Sequence, residues 1–245
     1  LYRVRDLETD QTWVMKTPSR NYEDDTAYIE RFIMEEWVGS RIHSPHVVPV
    51  YIPNRAKNFL YYLMEFIEGV ALDTWMIENP SPKPALVIQL VKQMAEGLKS
   101  FHQRETLHQD LKPSNIVVRP DNSAVIVDFG SVFVAGINEI FVPLERDRIL
   151  GTMNYSDPVF RLGQNTGIKG DMFSLAAITY EMFTHKLPFG NALESCETPQ
   201  QLEKLNYIPA DRYNPIIPIW FDRALEKSMM INPTQRYDSI DQMMQ

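Results

Sequence analysis

Glycine is scarce in this 245-residue chain. There are ten, about 4% against roughly 7% in average usage, and none precedes Gly39. A glycine-rich β-architecture is therefore excluded, and the stretch before Gly39 holds no glycine-rich loop. Cysteine is scarcer still. Cys196 is alone, so neither an intrachain disulfide nor a multi-cysteine metal site can form, and the chain suits a reducing, cytoplasmic setting. No apolar run approaches the roughly 18 residues of a membrane helix. The most apolar helix-like stretch, Phe173–Phe183, is too short to span. Positive charge is in deficit: 24 Lys and Arg stand against 32 Asp and Glu, for a net charge of −8. Nucleic-acid binding draws on many cationic contacts to phosphate, so an acidic chain is a poor candidate for it. The net charge is read as a solubility feature. There is no internal repeat, no low-complexity tract, no signal peptide and no initiator Met; the start at Leu1 suggests a piece of a longer chain.

What is present is a globular composition, 44% apolar and 23% charged, long enough for one large domain or two small lobes. Leu1–Asp6 and Thr12–Lys16 read as strands joined by the turn-like Leu7–Gln11. Asp24–Ile42 reads as a helix with Ile29, Phe32, Ile33 and Trp37 near one face. Val47–Ile52 and Phe59–Phe66 have strand length. The pattern changes at Gly69. Val87, Leu90, Val91, Met94, Leu98 and Phe101 then keep helical spacing through one long buried stripe. Asn115–Val118 and Ala124–Val127 read as a short hairpin around Pro120–Ser123. Helices are expected over Asp171–Phe183, Pro199–Leu205, Pro218–Met230 and Tyr237–Met244. The expected fold class is α+β, with two lobes meeting near Glu65–Gly69.

The chemistry concentrates around that hairpin. His108-Gln109-Asp110-Leu111-Lys112-Pro113-Ser114-Asn115 precedes it, and Asp128-Phe129-Gly130 follows its second strand. The hairpin brings Asn115 near Asp128, so two oxygen ligands converge beside the Asp110 carboxylate and the Lys112 ammonium. Hard oxygen ligands suit Mg²⁺ bridging phosphates. A carboxylate beside them can accept a hydroxyl proton.

At this point the chain resembles the eukaryotic-like (Hanks-type) Ser/Thr protein kinase family, of bacterial kind. The HxDLKxxN and DFG blocks carry the resemblance together. It extends to Trp13-Val14-Met15-Lys16, to Glu35, to Gly151-Thr152 with Tyr155-Ser156-Asp157-Pro158, to Asp171, and to Arg236 in Asn232–Arg236. It implies a small, mainly antiparallel β lobe with one helix over residues 1–66, and a larger, mainly helical lobe over 67–245. It implies ATP-dependent transfer of the γ-phosphate to Ser/Thr hydroxyls of protein substrates, with Mg²⁺ or Mn²⁺. Lys16 would hold the α/β-phosphates and Glu35 would fix Lys16. Asn115 and Asp128 would bind the metal, Asp110 would orient and deprotonate the hydroxyl, Lys112 would neutralise the moving phosphoryl group, and Thr152 would brace both. Adenine would lie between Leu1 and Val14 above and Val117 below, bonded to backbone at Glu65 and Ile67, with Met64 at the back.

Blander readings stand beside these. Lys16 alone would be a surface lysine. Glu35 and Glu36 are adjacent, and only one can face Lys16. His108 reads as a packed core histidine, Asp171 as a tether for the loop backbone, and Cys196 as an incidental loop thiol. Met229, Met230, Met243 and Met244 read as helix packing or an exposed end.

Three departures from the family pattern matter. Gln109 replaces the arginine that normally receives a phosphate on the activation segment, and residues 132–150 contain no Ser, Thr or Tyr. Receptor and donor are missing together, which predicts activity without activation-segment phosphorylation. Val159 stands where a glutamate normally pairs with the position of Arg236, and Asp157 is the substitute partner to test. Gly39 falls where a larger apolar residue usually packs, leaving that helix looser or the space filled by Phe129 or Trp37.

The competing class is a pseudokinase, a binding module without phosphotransfer. The set Lys16, Glu35, Asp110, Asn115 and Asp128 argues against it. Lys112 and Gly151–Pro158 favour protein over small-molecule substrates. Glu8–Pro18, Glu35–His46 and His108–Asn115 also resemble bacterial kinases fused to a PP2C-type phosphatase, which would place a phosphatase domain upstream of Leu1. The family's glycine-rich phosphate-covering loop would end where this chain begins. As it stands, weak nucleotide binding and poor turnover are expected, with full activity once that segment is restored.

Overall fold

The structure is a computed structural model. It describes residues 1–22, 24–54, 56–128, 130–134 and 154–245. Strands β1 (Tyr2–Arg5) and β2 (Thr12–Lys16) form a hairpin. Its turn is closed by Asp6, whose side chain accepts from the N–H groups of Glu8 and Thr9, and by Asp10 at φ 62°. Helix α1 (Thr26–Gly39) starts where the Asp25 carboxylate accepts from the Tyr28 N–H at 3.1 Å. Strands β3 (Val50–Tyr51) and β4 (Tyr62–Glu65) complete an antiparallel sheet in the order β1-β2-β4-β3.

Helix α1 corrects the reading of its apolar face. Phe32, Glu35, Val38 and Gly39 are buried, whereas Ile33 is 49% and Trp37 38% exposed. The helix is turned so that a glutamate, not the full apolar stripe, faces inward. Trp37, one candidate to fill the space beside Gly39, is turned outward, with the Arg41 guanidinium 4.0 Å over its ring. Phe129, the other candidate, lies outside the described residues.

After β4 the chain becomes helical. Strand β5 (Val70–Ala71) leads into α2 (Leu72–Glu78) and α3 (Pro84–His102). A Cβ on Gly69 would sit 2.3 Å from the Val118 carbonyl oxygen, so the chain can pass there only as glycine. Val87, Leu90, Met94, Leu98 and Phe101 of α3 are fully buried, as the stripe predicts. Then follow β6 (Thr106–Leu107), a 3₁₀ turn at Pro113–Asn115, β7 (Ile116–Val118), β8 (Ala124–Ile126) and β9 (Phe133–Val134). Strands β5, β7 and β8 form one sheet, and β6 pairs with β9. Asn115 thus closes the turn before β7 rather than opening the strand.

Helix α4 (Pro158–Arg161) precedes α5 (Ile168–Thr184), which is buried along most of its length and carries Asp171 in its first turn. The remaining helices are shorter than expected: α6 (Pro199–Leu202), α7 (Ile219–Ser228) and α8 (Ile240–Met243). Cys196 lies in the loop before α6, as expected, with its side chain buried against Val159 and Leu202. Met229 is buried and Met230 partly exposed. The two lobes are stitched at β8. Val48 N–H donates to the Ile126 carbonyl at 2.8 Å, and Ile126 N–H donates to that of His46 at 2.9 Å. Among the described residues no helix is long and apolar enough to cross a membrane.

Candidate active site

Lys16 ends β2 and Tyr62 lies directly opposite it on β4, so both side chains leave the same face of the sheet. That face meets α1. Lys16 Nζ lies 2.7 Å from Glu35 Oε2 and 3.2 Å from Asp128 Oδ1. The choice between adjacent glutamates is settled by helix geometry: Glu35 turns to Lys16, and Glu36 accepts from Lys57 Nζ at 2.5 Å. Burial pulls the Lys16 ammonium down, but the Glu35 and Asp128 carboxylates outweigh it and leave its pKa raised. Burial pushes the Glu35 carboxyl up despite Lys16 and Tyr62. Burial also opposes ionisation of Asp128, yet Lys16 and the Gly130 N–H hold it below the usual carboxylate range.

The second cluster sits on the loop between β6 and β7. Lys112 Nζ is 2.9 Å from Asp110 Oδ2. Asn115 Nδ2 donates to the Asp110 carbonyl at 2.9 Å and reaches Asp110 Oδ2 at 3.4 Å. The β7–β8 hairpin delivers Asp128 to this cluster, because Val127 N–H donates to the Asn115 carbonyl at 2.9 Å. With Asn115 Nδ2 bonded to Asp110, the amide oxygen of Asn115 would be the neutral donor and the Asp128 carboxylate the charged one for a bound cation. That pair fits a hard divalent cation that keeps waters and phosphate oxygens as its other ligands.

The loop backbone is fixed from below. Asp171 accepts from the N–H groups of His108 at 2.9 Å and Gln109 at 2.8 Å, and Gln109 takes φ 62°. His102 Nε2 lies 2.9 Å from the same carboxylate, a partner that no motif signalled. His108 is packed edge-on against Phe101 at 5.5 Å, as expected of a core histidine.

Residues expected around adenine are spread along the lobe junction. Val14 and Met64 are directly opposed in the β2–β4 register. Glu65 ends β4, its side chain 3.4 Å from Arg119, and Ile67 is half-buried against the main core. Val117 pairs with Ala71 and Val125 on β7, while Leu1 precedes β1 and is 76% exposed. Thr152 lies outside the described residues.

Comparison with known proteins decides the family. The protein kinase domain family matches residues 1–245. The chain belongs to it. Serine/threonine-protein kinase PrkC of Bacillus subtilis is 25% identical over 99% of this chain and 37% of its own length. Serine/threonine-protein kinase PknL of Mycobacterium tuberculosis is 27% identical over 97% of this chain and 58% of its own. Serine/threonine-protein kinase PknE of the same species is 27% identical over 97% and 41%. The chain therefore spans roughly a third to three-fifths of the length of these relatives, all bacterial.

Within this kinase domain the departure at Val159 has a structural answer. Arg236 forks onto Asp157, with Nη1 at 2.5 Å from Oδ2 and Nη2 at 3.1 Å from Oδ1. Both residues are 3% exposed. Arg236 also donates to the carbonyls of Met230 and Lys169, and Asp157 accepts from the Val159 N–H to start α4. The partner carboxylate has moved two residues along the chain, and Val159 packs in the apolar cluster instead.

Proposed function

We propose that this domain transfers the γ-phosphate of ATP to Ser and Thr hydroxyls of protein substrates. The observation that carries this reading is the Lys16 ammonium held 2.7 Å from Glu35 and 3.2 Å from Asp128, together with the linked Asp110, Lys112 and Asn115 on the loop before β7. Such an arrangement supplies position and charge, which phosphoryl transfer chiefly needs. Lys16, held by Glu35, binds the α/β-phosphates. Asp110 orients the substrate hydroxyl and takes its proton, worth about a hundred- to ten-thousand-fold in rate. Lys112 stabilises charge on the phosphoryl group in transit, and Thr152 braces this pair. Asn115 and Asp128 hold Mg²⁺ or Mn²⁺, which when bound neutralises phosphate charge. Adenine is received by Leu1, Val14, Met64 and Val117, with backbone bonds at Glu65 and Ile67.

The same reading divides the chain into residues 1–66 and 67–245 and sets it in the cytoplasm, without a nucleic-acid role. Gln109 and the absence of hydroxyl side chains over 132–150 support activity without activation-segment phosphorylation. The likeness of Glu8–Pro18 to kinases joined to a PP2C-type phosphatase supports such a domain upstream.

The test is incubation of the protein with its upstream residues present, γ-labelled ATP, Mg²⁺ and Ser/Thr peptides, followed by phosphoamino-acid analysis. Label on Ser or Thr is expected. A folded protein that binds ATP and labels nothing would favour a regulatory binding module.

A further inference from the structure

Four residues of α1 are buried, Phe32, Glu35, Val38 and Gly39, and one of the four is charged. Two polar contacts from one neighbouring segment fix its rotation. The Tyr62 hydroxyl donates to Glu35 Oε2 at 2.7 Å, the same oxygen that Lys16 Nζ reaches at 2.7 Å. Tyr62 is fully buried, and its ring packs 5.1 Å from that of Phe32, one turn earlier on the helix. Lys57 Nζ, on the segment leading to β4, bridges Glu36 Oε1 at 2.5 Å and the Tyr61 carbonyl at 2.7 Å. Neighbouring positions 61 and 62 thus engage neighbouring helix residues 36 and 35. A rotation of α1 that took Glu35 from Lys16 would break both contacts together and leave a buried phenol and a half-buried ammonium without these partners.

We propose that Tyr62 and Lys57 are positioning residues, a clamp within the small lobe that keeps Glu35 facing Lys16 with no charge supplied by the activation segment. This rests on the proposed role of Lys16 at the ATP phosphates, and it extends the idea of phosphorylation-independent activity to a physical cause. Tyr62→Phe keeps the ring and removes only the hydroxyl. Lys57→Met removes the bridging ammonium, and Lys57→Arg keeps a cation.

Calorimetric titration with Mg·ATP reads the dissociation constant separately from the number of competent sites. A merely structural role lowers the number of sites and leaves the constant unchanged. The clamp predicts that Tyr62→Phe and Lys57→Met weaken Mg·ATP about tenfold, the scale of one lost hydrogen bond to a charged group. It also predicts that Lys57→Arg restores wild-type affinity. Lys16→Met is the reference. If it weakens binding while Tyr62→Phe and Lys57→Met bind as wild type, the clamp is refuted and the role of Lys16 stands. If Lys16→Met itself binds as wild type, the role of Lys16 fails and the clamp fails with it. Weakened binding in Tyr62→Phe and Lys57→Met without rescue by Lys57→Arg refutes the part given to the Lys57 charge.

Discussion

Removing the Asp157 carboxylate should be among the most damaging single changes in the large lobe. Asp157 and Arg236 are 3% exposed and joined by two hydrogen bonds, so solvent screening gives little relief to an orphaned guanidinium. Breaking a buried pair by deleting one partner costs about 3–5 kcal/mol. The lower end applies, because Arg236 keeps its bonds to the carbonyls of Met230 and Lys169. Asp157 also caps α4 through the Val159 N–H, and losing such a cap costs about 1 kcal/mol. Asp157→Ala should therefore lose about 4 kcal/mol, a large part of the 5–15 kcal/mol typical of a domain. At about 2–4 °C per kcal/mol for a chain of this size, Tm falls by about 8–16 °C. Asp157→Asn keeps the cap and one acceptor and should lose about half as much. Val159→Glu alone should destabilise, since it buries a second carboxylate beside one guanidinium. In the Asp157→Ala background it should restore more than about 1 kcal/mol by supplying a new partner. Urea unfolding of the four proteins closes the cycle. A loss below about 1 kcal/mol for Asp157→Ala, or strict additivity, would refute the reasoning.

Three further outcomes are expected. Burial opposes ionisation of Asp171, but the His102 contact and the loop N–H groups overcome it and lower its pKa. The unfolded chain then binds the extra proton first, so this stability is complete above the ordinary carboxylate value of about 4 and is lost as pH falls below it. Denaturant unfolding across that range should show a shallower acid loss in Asp171→Asn; an unchanged slope would contradict the assignment. Gly69→Ala drives a Cβ to 2.3 Å from a backbone oxygen and should cost about 1–3 kcal/mol in urea unfolding, whereas an unaltered midpoint would show that the chain relaxes there freely. Phosphatase treatment should leave phosphotransfer unchanged, since residues 132–150 offer no hydroxyl to modify; a large loss would contradict independence from phosphorylation.

Much of this was legible in the residues themselves. The spacing from His108 to Asn115 and on to Asp128 implies a hairpin, and β7–β8 joins them as that spacing requires. The α3 stripe is equally direct because apolar periodicity alone buries it. Asp157 as the partner of Arg236 was open to view only through the family resemblance, which marks Val159 as the place of a missing glutamate. The rotation of α1 was not legible. Ile33 and Trp37 extend its apolar stripe, yet burial of the charged Glu35 opposite Lys16 turns them outward. Tyr62 and His102 belong to no motif. Tyr62 becomes visible only once the β2–β4 register sets it opposite Lys16, and His102 only once α5 brings Asp171 beneath the end of α3. Helices α6 and α8 begin at the side-chain caps of Thr198 and Ser239, which apolar periodicity does not mark, and each runs for four residues.

The most direct measurement compares the wild type and Asp110→Asn, both with their upstream residues present, for label transfer from γ-labelled ATP to Ser/Thr peptides, with Mg·ATP affinity measured on the same samples. If Asp110 receives the hydroxyl proton while Lys16, Asn115 and Asp128 hold the nucleotide, kcat falls by about a hundred- to ten-thousand-fold and the dissociation constant for Mg·ATP is unchanged. Equal transfer by the two proteins, or no transfer by a wild type that binds Mg·ATP, would contradict it.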